Sequence, residues 1–213
     1  MKIIILPIII FVGMITNAQT SIEVKPDNIY KEIDVARHNN AIAILSCEDK
    51  VLKVQIVLDI LANPNYYNPP VLYALSKELF SERKKDDACF WFYVGQLRAR
   101  YDANLCMDNT AKGAVSNLTR MYGEEINKYA IKNLDELEIT VQKVVDFVKN
   151  NDENYDHRWI NLHGMDAMIS GLDTNSVPKE LSQPKEKWAE IKLKTIEDYH
   201  ANFREALESM RNK

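Results

Sequence analysis

The chain has 213 residues, 46% hydrophobic and 27% charged, a composition that fits a folded globular protein and excludes a disordered one. Its 6 Gly and 7 Pro are too few for a turn-rich β-sandwich. With 27 basic against 31 acidic residues and a formal net charge of −4, it lacks the basic balance from which a general nucleic-acid binder draws its affinity.

The N-terminus has the layout of a secretory signal peptide. Lys2 supplies a positive start, residues 3–15 run without a charge, and Thr16-Asn17-Ala18 ends in a small residue before Gln19. Thirteen apolar residues at about 1.5 Å each reach about 20 Å, short of the roughly 30 Å hydrocarbon core, so no permanent membrane anchor is expected. The reading is therefore a signal peptide over residues 1–18, cleaved near Ala18, and one α-helical domain over 19–213, periplasmic or secreted. Cleavage removes one Lys and no acid, leaving a more acidic mature chain. Export makes a disulfide possible among Cys47, Cys89 and Cys106. A helix over 86–101 would hold Cys89 and Cys106 too far apart, so Cys47 is the expected partner of one of them; the alternative is three reduced thiols packed as small apolar side chains.

The mature chain reads as all-α. Asp27 caps a helix over 27–38 that brings Ile29, Ile33 and Ala36 to one face. Residues 41–62 are apolar nearly all round and predict a buried helix, or two short ones broken near Ser46-Cys47; alternation over 51–56 keeps a strand as the competing reading. Asn63-Pro64-Asn65 and Asn68-Pro69-Pro70 stop this segment. Helices follow over 71–83, 86–102, 109–121 and 123–132, the last two separated at Tyr122-Gly123. Leu134, Leu137, Val141, Val144, Val145 and Val148 form a continuous apolar stripe. A further helix is expected over 156–170, a linker over 171–184, and a long C-terminal helix carrying Trp188, Ile191, Thr195, Tyr199, Phe203, Ala206 and Met210 on one face. That last helix either packs on its own core or pairs with another chain.

Residues 69–102 carry Leu72, Leu75 and Leu79 on a first helix and Ala88, Phe92 and Gly95 on a second. Large residues then face small ones, which lets two helix axes approach closely. This hairpin resembles one tetratricopeptide or Sel1-like unit of about 34 residues. It departs from that pattern in having Arg100 at the usual terminal proline position and no second copy one repeat away. A lone unit has no neighbouring repeat to bury its faces, so a hairpin inside a compact multi-helix domain is expected. The resemblance implies a protein-binding scaffold.

Two polar clusters are candidate binding sites for a protein partner. In the first, Tyr155, Asp156, His157, Arg158, Trp159 and His163 bring aromatic and charged groups of the kind that dominate interface hot spots. The plainer alternative makes Asp156 a helix cap, Trp159 and Leu162 core, and His157 solvated. In the second, Gln96, Arg98, Arg100, Tyr101 and Asp102 end the hairpin; Arg98 and Asp102 are spaced to pair along the helix, with Asp156 as another partner for a buried charge. Glu124 and Glu125 are expected in a first helical turn after Gly123. His157 and His163, six residues apart, would sit about 240° apart on one helix, so no metal site is expected, and no cofactor. The chain holds no H-E-x-x-H, G-x-S-x-G, P-loop or G-x-G-x-x-G motif. The expected function is that of a bacterial periplasmic protein-binding domain, specifically an immunity protein neutralising a secreted antibacterial toxin; this rests on a class-level likeness of some immunity proteins to Sel1-like helical proteins. The alternatives are a small-ligand protein or hydrolase with an interhelical pocket using His163, Asp156 and Arg98, or a structural accessory of the envelope.

Overall fold

The computed structural model describes residues 27–173 and 180–212; the expected signal peptide and part of the 171–184 linker lie outside them. The described residues form helices α1 (Ala36–Ser46), α2 (Lys50–Ala62), α3 (Pro69–Ser81), α4 (Lys85–Leu105), α5 (Gly113–Ala130), α6 (Leu134–Asn150), α7 (Met165–Leu172) and α8 (Trp188–Arg211). Short 3₁₀ turns fill several of the connections. There is no strand among the described residues, only one isolated backbone bridge between Cys106 and Ser182. The fold is a compact all-α assembly, as expected.

Helix α4 is its axis. Asp86 and Asp87 occupy its first turn, where carboxylates complement the helix dipole. Beyond them apolar residues appear on every side of the helix, so it needs neighbours on every side, and α3, α5, α6 and α8 supply them. Helix α3 opens on Pro69 and Pro70, where the missing amide hydrogens cost nothing, and buries Leu72, Leu75 and Leu79. A Cβ on Gly95 of α4 would stand 3.4 Å from Leu72 Cβ, so glycine sets how closely the two helices approach. Asn133 caps α6, its Oδ1 accepting from the Glu136 amide at 3.2 Å, and the predicted stripe from Leu137 to Val148 is buried.

The C-terminal helix α8 packs on its own core, against α4 and α6. Arg211 near its end reaches Asp135 at 2.5 Å and Glu138 at 3.0 Å on the first turns of α6. Thr195 and Tyr199 are buried, while Ala206 and Met210 are exposed and Leu207 is buried in their place.

Several boundaries differ from expectation for identifiable reasons. Residues 28–32 form only a 3₁₀ turn, and α1 starts at Ala36. The 41–62 segment does break after Ser46, but α2 is not buried: Val51 is 67% and Leu58 61% exposed. Helix α2 rests mainly on α1 and the Pro64–Tyr66 turn, so only its Val57–Ile60 side has something to pack against. Residues 109–112 form a 3₁₀ turn, and α5 runs straight through Gly123. Glycine is required there by packing: a Cβ would lie 2.7 Å from the Phe92 ring. Glu124 is therefore mid-helix and pairs with Lys128 at 2.6 Å instead of facing a helix N-terminus.

Gly123→Ala is expected to destabilise the protein by about 1–3 kcal/mol, because Phe92 is fully buried and has no free space to retreat into. Gly113→Ala, at a helical position with nothing within 4 Å of the added methyl, is expected to stabilise it by about 0.4–1 kcal/mol. Chemical denaturation of the two variants beside the wild type checks the contrast.

The expected 156–170 helix is also split, at Gly164. This residue is extended (φ −93°, ψ 161°), dividing a 3₁₀ turn over His157–His163 from α7. A Cβ at Gly164 would lie 2.8 Å from Cγ of Asp108, whose carboxylate accepts from the Asp166 amide. Cys47, Cys89 and Cys106 are all free thiols, so the cross-link expected through Cys47 is not formed. The Cys106 thiol donates to Asn161 Oδ1 at 3.2 Å, and burial pushes it up to about 11.

Candidate functional site

The apolar environment of α4 makes its polar residues conspicuous. Arg98 and Asp102 are both fully buried, and a buried charge is tolerable only when paired and hydrogen-bonded. They do not pair with each other. Each instead holds a different part of the segment that follows α6.

Asp102 takes three donors from that segment. Its Oδ1 lies 2.5 Å from His157 Nδ1, and its Oδ2 accepts from Trp159 Nε1 at 2.6 Å and Tyr155 Oη at 3.1 Å. The imidazole is enclosed edge-on by Tyr101 and Trp188 and at a tilt by Tyr155, at 5.0–5.3 Å between ring centres. Burial opposes its charge, but Asp102, with Glu153 and Asp156 behind it, outweighs that penalty and raises the His157 pKa above the ordinary value. His157 is thus an interior member of an ion pair, and not the solvated side chain of the plainer sequence reading.

Arg98 points into a second cage. It donates to Asn65 Oδ1 at 2.6 Å and Pro64 O at 3.2 Å, and its guanidinium lies 5.3 Å from the Phe147 ring centre. Its carboxylate is Glu153, Nε to Oε1 3.4 Å, where the sequence suggested Asp102 or Asp156. Glu153 is itself held by Lys192 of α8 at 2.9 Å. The chain Arg98–Glu153–Lys192 therefore ties α4, the post-α6 loop and α8 together. Sequence reasoning missed Glu153 and Lys192: Glu153 lies in a polar run that reads as a helix stop, and its only signal was the need of Arg98 for a counter-charge.

The other predicted residues lie further out. Asp156 caps the His157–His163 turn through the Arg158 amide at 2.9 Å, and its carboxylate takes the Arg158 guanidinium at 2.7 Å. Burial raises the Asp156 pKa, but the Arg158 bonds prevail and hold it below the usual value. His163 is exposed and meets the Trp159 ring edge-on, 5.6 Å between centres. Arg100 is exposed on the opposite side of α4 from these groups' cages, its guanidinium 5.5 Å from the Tyr199 ring centre. Arg98, Asp102 and Trp159 are interior, and in this fold they position the segment.

An open cleft of about 1180 Å³ borders the segment, with Tyr155, Asp156, His157 and Arg158 on one wall and Ser182, Lys185 and Trp188 on another. Arg98 and His163 do not line it, so the trio His163, Asp156 and Arg98 does not converge on one pocket. Chemically the cleft presents an imidazole oriented through Nδ1 by a buried carboxylate. Among the described residues no group of three or more His, Cys, Asp or Glu side chains could hold a metal ion. Nor is any helix among them long and apolar enough to cross a membrane.

Because the folded His157 pKa is raised, the ion pair's contribution is complete below about pH 6.5, the free imidazole value, and is lost as pH climbs through the folded value. The stability difference between wild type and His157→Gln is therefore expected to be larger at pH 6 than at pH 8.5. Urea unfolding at both pH values reads it; a difference that grows with pH would contradict the pairing.

The chain matches no protein-family model, no curated protein and no solved structure.

Proposed function

We propose that this protein is an exported, protein-binding helical domain, and in its specific form an immunity protein that captures an antibacterial toxin in the periplasm. The observation that carries the reading is the exposed stripe of α2. Val51, Val54, Leu58 and Leu61 are all exposed and follow one another at spacings of 3, 4 and 3. That is the a/d spacing of a helix-packing seam, here left open to solvent, and it suits a partner that presents an amphipathic helix. Exposed apolar rows of this kind are unfavourable unless something covers them. The tight α3–α4 approach at Gly95 supports the likeness to a tetratricopeptide or Sel1-like hairpin, whose role is scaffolding.

Co-purification with the product of the adjacent gene tests the proposal. Leu58→Glu is expected to abolish capture while leaving the melting temperature within a few degrees of wild type, since the side chain is already exposed. Deletion of the gene is expected to make cells sensitive to their siblings. Failure to bind the neighbouring product, together with unchanged resistance, would overturn it.

A further inference from the structure

On a face sharing no residue with the α2 stripe, two grooves meet between α4, α5 and α8, of about 640 and 240 Å³. Arg100, Lys112 and Val115 line both, so the two grooves adjoin, and Arg120 lines the larger. The lining also contains two carboxylates, each ion-paired with a lysine of its own helix: Glu124 with Lys128 at 2.6 Å, and Asp198 with Lys194 at 3.2 Å. No carboxylate among the described residues pairs with Arg100, Lys112 or Arg120. In a chain of net charge −4, three unpaired cations are thus gathered in one groove.

The groove has a polar floor that is already organised. Thr119 Oγ1 lies 3.1 Å from Tyr73 Oη and accepts from Gln96 Nε2 at 3.4 Å, and Gln96 Oε1 accepts from Tyr199 Oη at 3.0 Å. Asn127 at one end has its Oδ1 occupied by Tyr93 Oη at 2.9 Å, which leaves its amide hydrogens as donors. Arg100 is braced against the Tyr199 ring. A groove with unpaired cations and donors, lined by no apolar side chains other than Ala103, Val115 and Tyr199, suits a compact, densely charged anion better than a peptide, which needs several buried aromatic or aliphatic anchors.

We infer that the α4–α5–α8 groove is a binding site for a small phosphate-bearing polyanion, held by Arg100, Lys112 and Arg120. Arginine and lysine supply complementary grips, the guanidinium as a planar fork and the ammonium as a point charge. This site is independent of the proposed protein capture, so either can fail without the other.

The test is calorimetric titration of the full mature chain with sodium tripolyphosphate at fixed, moderate salt. Saturable one-site binding is expected, weakened about tenfold or more in Arg100→Gln/Lys112→Gln. Both side chains are exposed, so the variant is expected to fold, which circular dichroism checks. Lys143→Gln, an exposed lysine on α6, serves as the control and is expected to bind like wild type. Absence of saturable binding, equal weakening by the control, or equally tight binding of an oligoglutamate peptide would each overturn the inference.

Discussion

Asp102→Ala is expected to cost about 3–5 kcal/mol of unfolding free energy, enough to unfold a marginal domain. The carboxylate is fully buried and is the shared acceptor of His157, Trp159 and Tyr155. Truncation leaves three interior donors without an acceptor, and each orphan costs about 1–3 kcal/mol, offset in part where a water enters. Asp102→Asn is expected to cost clearly less, because an amide oxygen keeps part of the acceptor capacity. It removes the counter-charge, however, and burial then acts on His157 with less opposition, so the imidazole pKa falls. Urea denaturation of both variants and an NMR titration of His157 in Asp102→Asn check the two halves. Equal stability of wild type and Asp102→Ala would show that the hub does not hold the segment.

Arg98→Met is expected to cost a comparable amount, about 3–5 kcal/mol, by a different route. Methionine fills much of the volume, but Glu153 loses its buried counter-charge and Asn65 and Pro64 lose their donor. Lys192 still faces Glu153 from the edge of the site. The double variant Arg98→Met/Glu153→Gln removes the orphaned charge and is expected to be more stable than Arg98→Met alone. A strictly additive double variant would show that the two residues do not interact. The cycle therefore separates a paired interior charge from two independent packing losses.

Both predictions concern residues whose importance was half visible beforehand. Arg98 and Asp102 stand out in an apolar helix, and the need for partners follows from their burial there. The spacing of the pair suggested that they satisfy each other, yet both partners lie far along the chain; Trp159 is 57 positions from Asp102. Periodicity reports which residues share a side of one helix. It carries no information on which loop will arrive at that side. The same gap explains α2: its apolar residues announce a wish to be buried, while the fold provides cover for one side only.

Glycine shows the distinction at single positions. At Gly123 and Gly164 the sequence reading was opposite to what the fold made of them. Gly123 looked like a break and is helical; it is glycine because Phe92 occupies the space of a side chain. Gly164 looked like part of a helix and ends one; it is glycine because the Asp108 carboxylate occupies the place of a side chain. In both cases a residue distant in sequence decided that only glycine fits.

What the sequence by itself determined is the all-α class, the apolar stripe and cap of α6, the close α3–α4 hairpin and the long last helix, all of which follow from local periodicity, capping chemistry and residue size. The tertiary structure alone decided which charges share a cage, which apolar stripe stays open to solvent and where unpaired cations collect, because burial and pairing belong to surfaces brought together by folding and have no counterpart in the order of residues along a single helix.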